Sequence, residues 1–228
     1  MIASASSSFS SPRLKKLALA MMVLVALTLV AAALYQFAFV NPKFFSYAME
    51  LRAPRLIVML TAGFSISAAA IVFQTIIRNN IVTPCLLGMN SLYLLIHTAV
   101  VFFFGSGSQF ATNPVMAFAV DIVLMGVIAT FIYYSIFKKT GGNVLYVLLI
   151  GTVLSTFFSS MQNSLTRIMD PNEYDALLNT LVASFTNVNM ACIIPGILIL
   201  ILIALWLKKD IAILDIISLG RDQAISLG

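Results

Sequence analysis

Charged residues are scarce in this sequence. Asp, Glu, Lys and Arg make up 9% of the 228 residues, whereas soluble globular domains carry roughly a quarter. Hydrophobic residues account for 61%, and the mean hydropathy is +1.04. A chain with this little polar surface cannot cover a water-facing exterior, so the composition excludes a soluble globular protein.

Residues that bind metals or form disulfides are equally few. The chain has one histidine, His97, and two cysteines, Cys85 and Cys192. The topology below places the cysteines at opposite membrane faces, and a disulfide needs Cα atoms within about 7 Å, so none is expected. One histidine and two separated cysteines cannot form a zinc ligand set. We expect no cofactor.

Motifs of catalysis are also missing from the sequence. There is no Gly-rich phosphate loop, no nucleophile elbow and no pair of carboxylates within one span. We therefore expect a non-enzymatic protein. If ATP drives its activity, hydrolysis takes place on a separate chain.

Long apolar runs dominate what is present. Runs of about twenty apolar residues are typical of transmembrane helices, and the strand alternation of a membrane barrel is absent. Helices then remain the way to satisfy the backbone in lipid, so the fold class is all-α, a polytopic transmembrane helical bundle. Six spans are predicted: Leu17–Leu34, Leu56–Ile77, Leu86–Phe104, Val115–Phe137, Val144–Phe158 and Met190–Leu207.

The orientation of the bundle follows from its basic residues, which are enriched on the cytoplasmic side. With the N-terminus inside, nine are cytoplasmic: Arg13, Lys15, Lys16, Arg78, Lys138, Lys139, Lys208, Lys209 and Arg221. Four are external: Lys43, Arg52, Arg55 and Arg167.

Basic residues cluster at span ends without interleaved aromatics, so the net charge of +5 does not indicate nucleic-acid binding. The predicted organisation is a disordered cytoplasmic tail (1–16), a transmembrane domain (17–207) and a cytoplasmic segment (208–228).

The segment 164–189 differs from the spans. Asp170, Pro171 and Glu173 have the spacing of a helix start, with a carboxylate at the N-cap and proline at the first position. An apolar face follows at helical spacing: Tyr174, Leu177, Leu178, Leu181, Val182 and Phe185. We predict a short helix at the outer face of the bundle. The alternative is an interfacial helix that only tethers the loop.

Two ionisable residues lie inside spans, where charge is costly and needs a role. Asp121 lies about two turns from the outer end of the fourth span, and either faces a water-filled path or pairs with a neighbouring helix. His97 lies midway along the third span, where a helix-packing hydrogen bond is the default. A proton relay through His97 would need an acidic partner, and its own helix has none. For Gln74, too, a hydrogen bond between helices is the default role.

The stretch "ELRAPRLIVML" (50–60) places Arg52 and Arg55 beside the second span, in the predicted external loop 35–55. Basic residues at the outer face run against the orientation rule, so they need a second explanation. One explanation is that they snorkel to lipid headgroups. The other comes from a family resemblance.

Three stretches together resemble the FecCD-type permeases of bacterial ABC importers for iron chelates and cobalamin. Residues 51–91 resemble the family signature in Arg52, Pro54, Arg55, Gly63, Gln74, Arg78, Asn79, Pro84, Leu87, Gly88 and Ser91. The turn departs from the pattern, with Asn80 where the family usually has proline. "LLNTLVASFTNVN" (177–189) resembles the family's short outer helix, with Asn179 and Thr180 replacing a Gly-Ser pair. "SLGRDQAISLG" (218–228) resembles the segment that couples a permease to its ATPase.

The resemblance implies a permease subunit that carries an iron–siderophore, with haem or cobalamin as alternatives. It implies that Arg52 and Arg55 dock a periplasmic or lipid-anchored substrate-binding protein through its glutamates. Residues expected to couple to cytoplasmic ABC ATPase subunits are Ser218, Leu219, Gly220, Arg221, Ala224, Leu227 and Gly228. Path or gate candidates are Gln74, Asn179, Thr180 and Asp121. A second permease copy, or a sister permease, would complete the path in the bacterial plasma membrane.

Family members have about ten spans, and their coupling segment lies between the sixth and the seventh. We therefore expect this chain to be C-terminally truncated relative to the family, with an incomplete coupling segment. Two alternatives stay open: an ion-coupled secondary transporter that uses Asp121 and His97, and a non-transporting fragment. Transport without ATP would favour the first of them.

Overall fold

The computed structural model describes residues 12–140, 143–182, 184–185 and 188–218. The described residues form α-helices and two short 3-10 helices, Pro42–Phe44 and Pro84–Leu87. The α-helices are α1 Pro12–Phe37, α2 Phe45–Ile77, α3 Met89–Phe104, α4 Gln109–Thr112, α5 Pro114–Thr140, α6 Val144–Ile168, α7 Pro171–Leu181 and α8 Met190–Ser218. The chain divides into two compact units, Met1–Met59 and Leu60–Gly228.

The predicted all-α membrane bundle is confirmed. Five described helices are long and apolar enough to cross a membrane: Lys15–Phe37, Pro42–Ile77, Pro114–Thr140, Val144–Ile168 and Met190–Lys208. The predicted third span is the exception, because α3 has 16 residues. At 1.5 Å per residue it covers about 24 Å, less than the roughly 30 Å of a bilayer core.

In the first unit, α2 begins earlier than predicted. Arg52 and Arg55 were expected in the loop 35–55, but both lie inside α2, which starts at Phe45. The residues before Arg52 include Met49, Glu50 and Leu51, which are strong helix formers. Pro54 removes one backbone hydrogen bond without ending the helix, as is common in membrane helices.

The core of the second unit lies where the 3-10 turn before α3 meets α5 and α6. Leu87 from that turn, Tyr133 from α5 and Val147 from α6 are buried together. The Tyr133 hydroxyl donates to the Leu87 carbonyl at 2.6 Å, which satisfies a polar group that hydrocarbon would leave unpaired. α3 then packs along α6, with Leu92, Ile96 and Phe158 buried between them.

Two glycines allow α6 to approach the turn before α3 closely. Gly88 adopts a φ of +83°, and a Cβ there would lie 2.8 Å from the Cα of Ser155. A Cβ on Gly151 would lie 3.0 Å from the Cα of Leu87. Both contacts are backbone approaches, which a larger residue cannot relieve by a change of rotamer. Beside this contact, the Ser91 hydroxyl of α3 lies 3.0 Å from the Ser155 hydroxyl of α6. It also accepts a hydrogen bond from the Ser159 hydroxyl at 3.1 Å.

We expect Gly151→Val to destabilise the protein by about 1–3 kcal/mol, because the added methyl groups overpack the contact with Leu87. Thermal unfolding of the purified full chain in detergent measures the effect. The matched control is Gly126→Val in α5, where nothing lies within 4 Å of the added Cβ. Equal melting temperatures for the two variants would contradict the close packing described here.

The helix start predicted at Asp170 is confirmed. The Asp170 carboxylate accepts from the backbone N–H of Asn172 at 2.9 Å, and Pro171 occupies the first helical position. The predicted apolar face was too long, because α7 ends at Leu181 and leaves Val182 and Phe185 outside it. The sequence after Leu181 is rich in β-branched, Ser, Thr and Asn residues, which are weak helix formers.

The fifth span was predicted too short. α6 does not end at Phe158 but continues to Ile168 through a polar stretch. Its hydroxyls donate to carbonyls of their own helix, as Ser160 does to Thr156 and Ser164 does to Ser160, both at 2.8 Å. These internal bonds let a polar sequence remain helical in an apolar solvent.

Candidate functional site

A hydrogen-bond network joins three helices through the one histidine of the chain. His97 on α3 contacts the Asp121 carboxylate on α5, with 2.8 Å between Nδ1 and Oδ2. Its other ring nitrogen, Nε2, lies 3.0 Å from the Thr180 hydroxyl oxygen on α7. His97 and Asp121 are 7% and 9% exposed, so their polar atoms depend on each other rather than on water. We call these three residues the His97 network.

The Thr180 side of the network borders a cavity of about 190 Å³. Its lining includes His97 and Val101 from α3, Ser106 from the following loop, and Leu177 and Thr180 from α7. Thr180 itself is exposed. Nε2 of His97 is therefore the edge of the buried pair that lies closest to an open space.

A second contact holds α7 near the end of α3. The backbone N–H of Ser106 donates to the Glu173 carboxylate at 2.5 Å, and Val101, Met169 and Leu177 form a small buried cluster beneath it. α7 is thus attached at both ends, by Glu173 in its first turn to the loop after α3 and by Thr180 in its last turn to α3. The short helix is a packed element of this unit.

Of the two roles that the sequence left open for Asp121, the structure shows the contact with a neighbouring helix. Asp121 pairs with a neighbouring helix, and His97 makes a helix-packing hydrogen bond. The acidic partner that His97 lacks on its own helix is supplied by α5. Thr180, a gate candidate, belongs to the same network through its contact with His97. No spacing rule relates positions 97, 121 and 180, so sequence reasoning did not link them.

Two other path candidates lie elsewhere. The Asn179 side chain is exposed and donates to the Asp175 carbonyl of its own helix at 3.1 Å. Gln74 is half-buried one turn before the end of α2. Neither residue belongs to the His97 network, so their proposed path role rests on the resemblance alone.

One exposed helix face is polar, although the helix has the length of a membrane span. Thr152, Thr156, Ser160 and Asn163 are all exposed and lie along one side of α6, because residues three or four apart share a helix face. We call these four residues the α6 polar face. The opposite side of α6 carries the buried Val147, Gly151 and Phe158.

The α6 polar face retains unused hydrogen-bonding capacity. Thr152, Thr156 and Ser160 donate to carbonyls within α6, and each oxygen keeps lone pairs for a ligand or water. No cation or carboxylate interrupts the face until Arg167 in the last turn. It can therefore form neutral hydrogen bonds along about three turns of helix.

In the first unit, the Arg52 side chain caps the C-terminal end of α1. Its Nη1 donates to the carbonyls of Tyr35 at 2.9 Å and Ala38 at 2.8 Å, and lies 3.4 Å from that of Gln36. These carbonyls belong to the C-terminal end of α1, where orphan acceptors and the helix dipole both favour a cation. The sequence pattern did not indicate this role.

Arg55 is the freer of the two arginines. Within the part of the chain that the structure describes, its guanidinium forms no hydrogen bond or ion pair, and it is partly exposed. The two predicted docking residues thus differ: Arg52 is committed to α1, whereas Arg55 has all its donors available for a partner.

Of the predicted ATPase-coupling residues, the structure describes one. Ser218 is the last residue of α8. Leu219, Gly220, Arg221, Ala224, Leu227 and Gly228 lie outside the described residues. The predicted cytoplasmic segment 208–228 begins as a direct helical continuation of the sixth span, since α8 extends to Ser218.

Comparison with known proteins gives matches along nearly the whole chain. Residues 14–228 match the sequence model of the FecCD transport family. The petrobactin import system permease protein YclO of Bacillus subtilis is 33% identical over 206 residues, which cover 90% of this chain and 65% of YclO. FatC of Bacillus anthracis, also a petrobactin import system permease, is 30% identical over 82% of this chain and 53% of its own length.

The chain thus spans about half to two thirds of the length of these relatives. Among solved structures, an inward-facing metal-chelate type ABC transporter has the same fold, with a TM-score of 0.70 and 22% identity. That match covers 91% of this chain and 65% of the other. At this identity the likeness concerns the fold alone.

Proposed function

Because this chain belongs to the FecCD transport family, we propose that it is a permease subunit of a binding-protein-dependent ABC importer. It moves an iron–siderophore inward across the bacterial plasma membrane, with its N-terminus in the cytoplasm. A separate ATPase supplies the energy. The related permeases named for petrobactin and for iron(3+)-hydroxamate support an iron chelate as the substrate.

The α6 polar face is the observation that carries this proposal. The hydroxyls of this face donate to their own helix, but against lipid tails their remaining lone pairs and the exposed Asn163 amide would lose hydrogen bonds to water. Polar faces of membrane helices therefore turn to an aqueous path or to another helix. We assign the α6 polar face to the wall of the transport path. Its neutral donors and acceptors suit the hydroxyl, carbonyl and amide groups at the surface of a ferric chelate.

Docking and coupling are assigned to opposite membrane faces. Arg55 contacts acidic residues of the substrate-binding protein outside, and Arg52 contributes charge while it holds the end of α1. Charge complementarity of this kind raises the association rate and sets the orientation more than it raises affinity. The ATPase contacts the cytoplasmic segment from Ser218 onward. A second permease copy or a sister permease faces the α6 polar face across the path.

Uptake measurements test the proposal directly. We expect cells that express this chain with the binding protein and ATPase of the same importer to accumulate radiolabelled iron–siderophore. Accumulation should stop when the ATPase carries a substitution in its phosphate loop. Uptake that persists at full rate with the inactive ATPase would reject the proposal.

The His97 network favours one other function. A buried histidine–carboxylate pair is a common proton carrier in ion-coupled secondary transporters, and His97 and Asp121 lie 2.8 Å apart. Such a transporter would work without ATP and respond to a proton gradient. The same uptake measurement separates the two functions, because uptake by a secondary transporter would continue when the ATPase is inactive.

A further inference from the structure

The Phe39 side chain, on the loop between α1 and α2, is fully exposed. We propose that it inserts into an apolar pocket of the substrate-binding protein, and that Arg52 is the residue that positions it. This docking role rests on the proposed importer function. It adds an aromatic anchor to the charged contact at Arg55.

The backbone at Phe39 has a conformation that glycine usually adopts. α1 ends at Phe37, and the Ala38 N–H still donates to the Leu34 carbonyl at 2.8 Å. The next residue, Phe39, has a φ of +56°. A residue in this left-handed region just past a helix is most often glycine, because a Cβ crowds the backbone there. The end of α1 thus favours glycine and burial does not favour phenylalanine, so the fold alone gives no reason for an aromatic ring.

Two contacts hold the loop that carries Phe39. The Nη1 of Arg52 donates to the carbonyl of Ala38, the residue before Phe39, at 2.8 Å. The rings of Phe37 and Phe45 stack across the two helix ends, with 6.5 Å between their centroids and 15° between their planes. Both helix ends next to the loop are therefore fixed, which presents the Phe39 ring in one place. A partner then binds it without the entropy cost of ordering a flexible segment.

A protein pocket fits Phe39 better than the membrane surface does. The aromatic residues enriched at membrane interfaces are Trp and Tyr, whose polar groups reach the lipid headgroups, and phenylalanine has no such group. Arg55 lies one turn from Arg52 on α2, so a partly exposed cation accompanies the ring. Aromatic and arginine side chains are enriched at the centre of protein interfaces. We therefore expect an apolar pocket with carboxylates at its rim.

Truncation of the ring is expected to weaken binding of the substrate-binding protein. In Phe39→Ala the dissociation constant should rise at least about tenfold, as for a central aromatic anchor. The change should lie mainly in the dissociation rate and should not depend on ionic strength, unlike the effect of charge reversal at Arg55. Phe39→Trp keeps a large aromatic ring and should bind within about threefold of the unmodified chain. Surface plasmon resonance on the full chain in nanodiscs measures both rates.

Phe39→Gly separates docking from folding. Relief of strain at a φ of +56° offsets the greater freedom of the unfolded chain, so the melting temperature should not fall, while the affinity should fall as in Phe39→Ala. The matched control is Phe44→Ala, which should change the affinity by less than about twofold. Phe44 is an exposed phenylalanine of the same loop, whereas the described acceptors of Arg52 all precede Phe39. Unchanged binding by both Phe39 variants would overturn the proposal, as would equal losses at Phe39 and Phe44.

Fluorescence distinguishes a protein pocket from lipid. Trp206→Phe removes the single tryptophan, and Phe39→Trp then places the one indole on the loop. In nanodiscs of phosphatidylcholine and phosphatidylglycerol, its emission should shift to shorter wavelength when the substrate-binding protein with bound iron–siderophore is added. Quenching by brominated acyl chains without such a shift would overturn the proposal and assign the ring to the membrane interface.

Failure of this contact and failure of the importer function give different results. If the unmodified chain binds the substrate-binding protein and the Phe39 variants bind equally well, only the docking role of Phe39 is rejected. If the unmodified chain does not bind it at all, both the proposed function and this contact are rejected.

Discussion

Replacing both Thr156 and Ser160 with leucine is expected to reduce iron–siderophore uptake at least about tenfold. Both residues belong to the α6 polar face and are exposed on the middle turns of α6. Each hydrogen bond that a passing chelate loses leaves a polar group unpaired, at a cost of about 1–3 kcal/mol, and 1.4 kcal/mol corresponds to a factor of ten. Radiolabelled uptake at saturating binding protein measures the change.

The control for this variant is Met161→Leu, a change of similar size on the side of α6 next to the polar face. Met161 is 43% exposed and keeps its apolar character, so uptake should stay within about twofold of the unmodified chain, since swaps of this kind are well tolerated. Membrane levels of each variant must be compared by blotting. An unchanged rate in the double variant at normal membrane levels would remove the α6 polar face from the path.

Charge reversal at Arg55 is expected to weaken binding of the substrate-binding protein by at least about tenfold. A single exposed ion pair contributes roughly 0.2–1 kcal/mol, but a glutamate facing glutamates adds repulsion that can reach several kcal/mol. Arg55→Glu should act mainly on the association rate. In the unmodified chain the association rate should fall as ionic strength rises, because salt screens the attraction between exposed charges. Surface plasmon resonance on the permease in nanodiscs measures both.

Lys43→Glu provides the matched control, since Lys43 is an exposed cation of the same unit that the docking assignment does not include. We expect its binding curve to change by less than about twofold, as a distant exposed charge is screened. Arg52 is the poorer probe, because its loss also uncaps α1. Equal effects at Lys43 and Arg55 would mean that only net charge matters.

The fold was largely predictable from the sequence, because the bilayer imposes strong rules. Long apolar runs predicted five of the six spans as membrane-length helices, and the N-cap at Asp170 followed from local hydrogen bonding that involves neighbouring residues only. Helix ends were less accurate. α6 continues past Phe158, because its hydroxyl side chains donate to carbonyls of the same helix. α2 begins before Arg52, and the Arg52 side chain caps the end of α1.

The site was less predictable than the fold. Asp121, His97 and Thr180 were each noticed for being polar or for lying in a motif, but their contact depends on how α3, α5 and α7 pack. Arg52 offers the same lesson, since its bonds to the end of α1 span 14 to 17 positions in the chain. Long-range contacts leave no periodic signal in a single sequence.

The claim that the α6 polar face borders an aqueous path can be tested by thiol labelling. In a chain with Cys85→Ser and Cys192→Ser, single cysteines are introduced as Thr156→Cys, Ser160→Cys and Met161→Cys. A membrane-impermeant maleimide reacts with thiolates in water and not with thiols in lipid. We predict rapid labelling at positions 156 and 160 and little at 161 in the assembled importer. Labelling at 161 alone, or at none of the three positions, would contradict the proposed path.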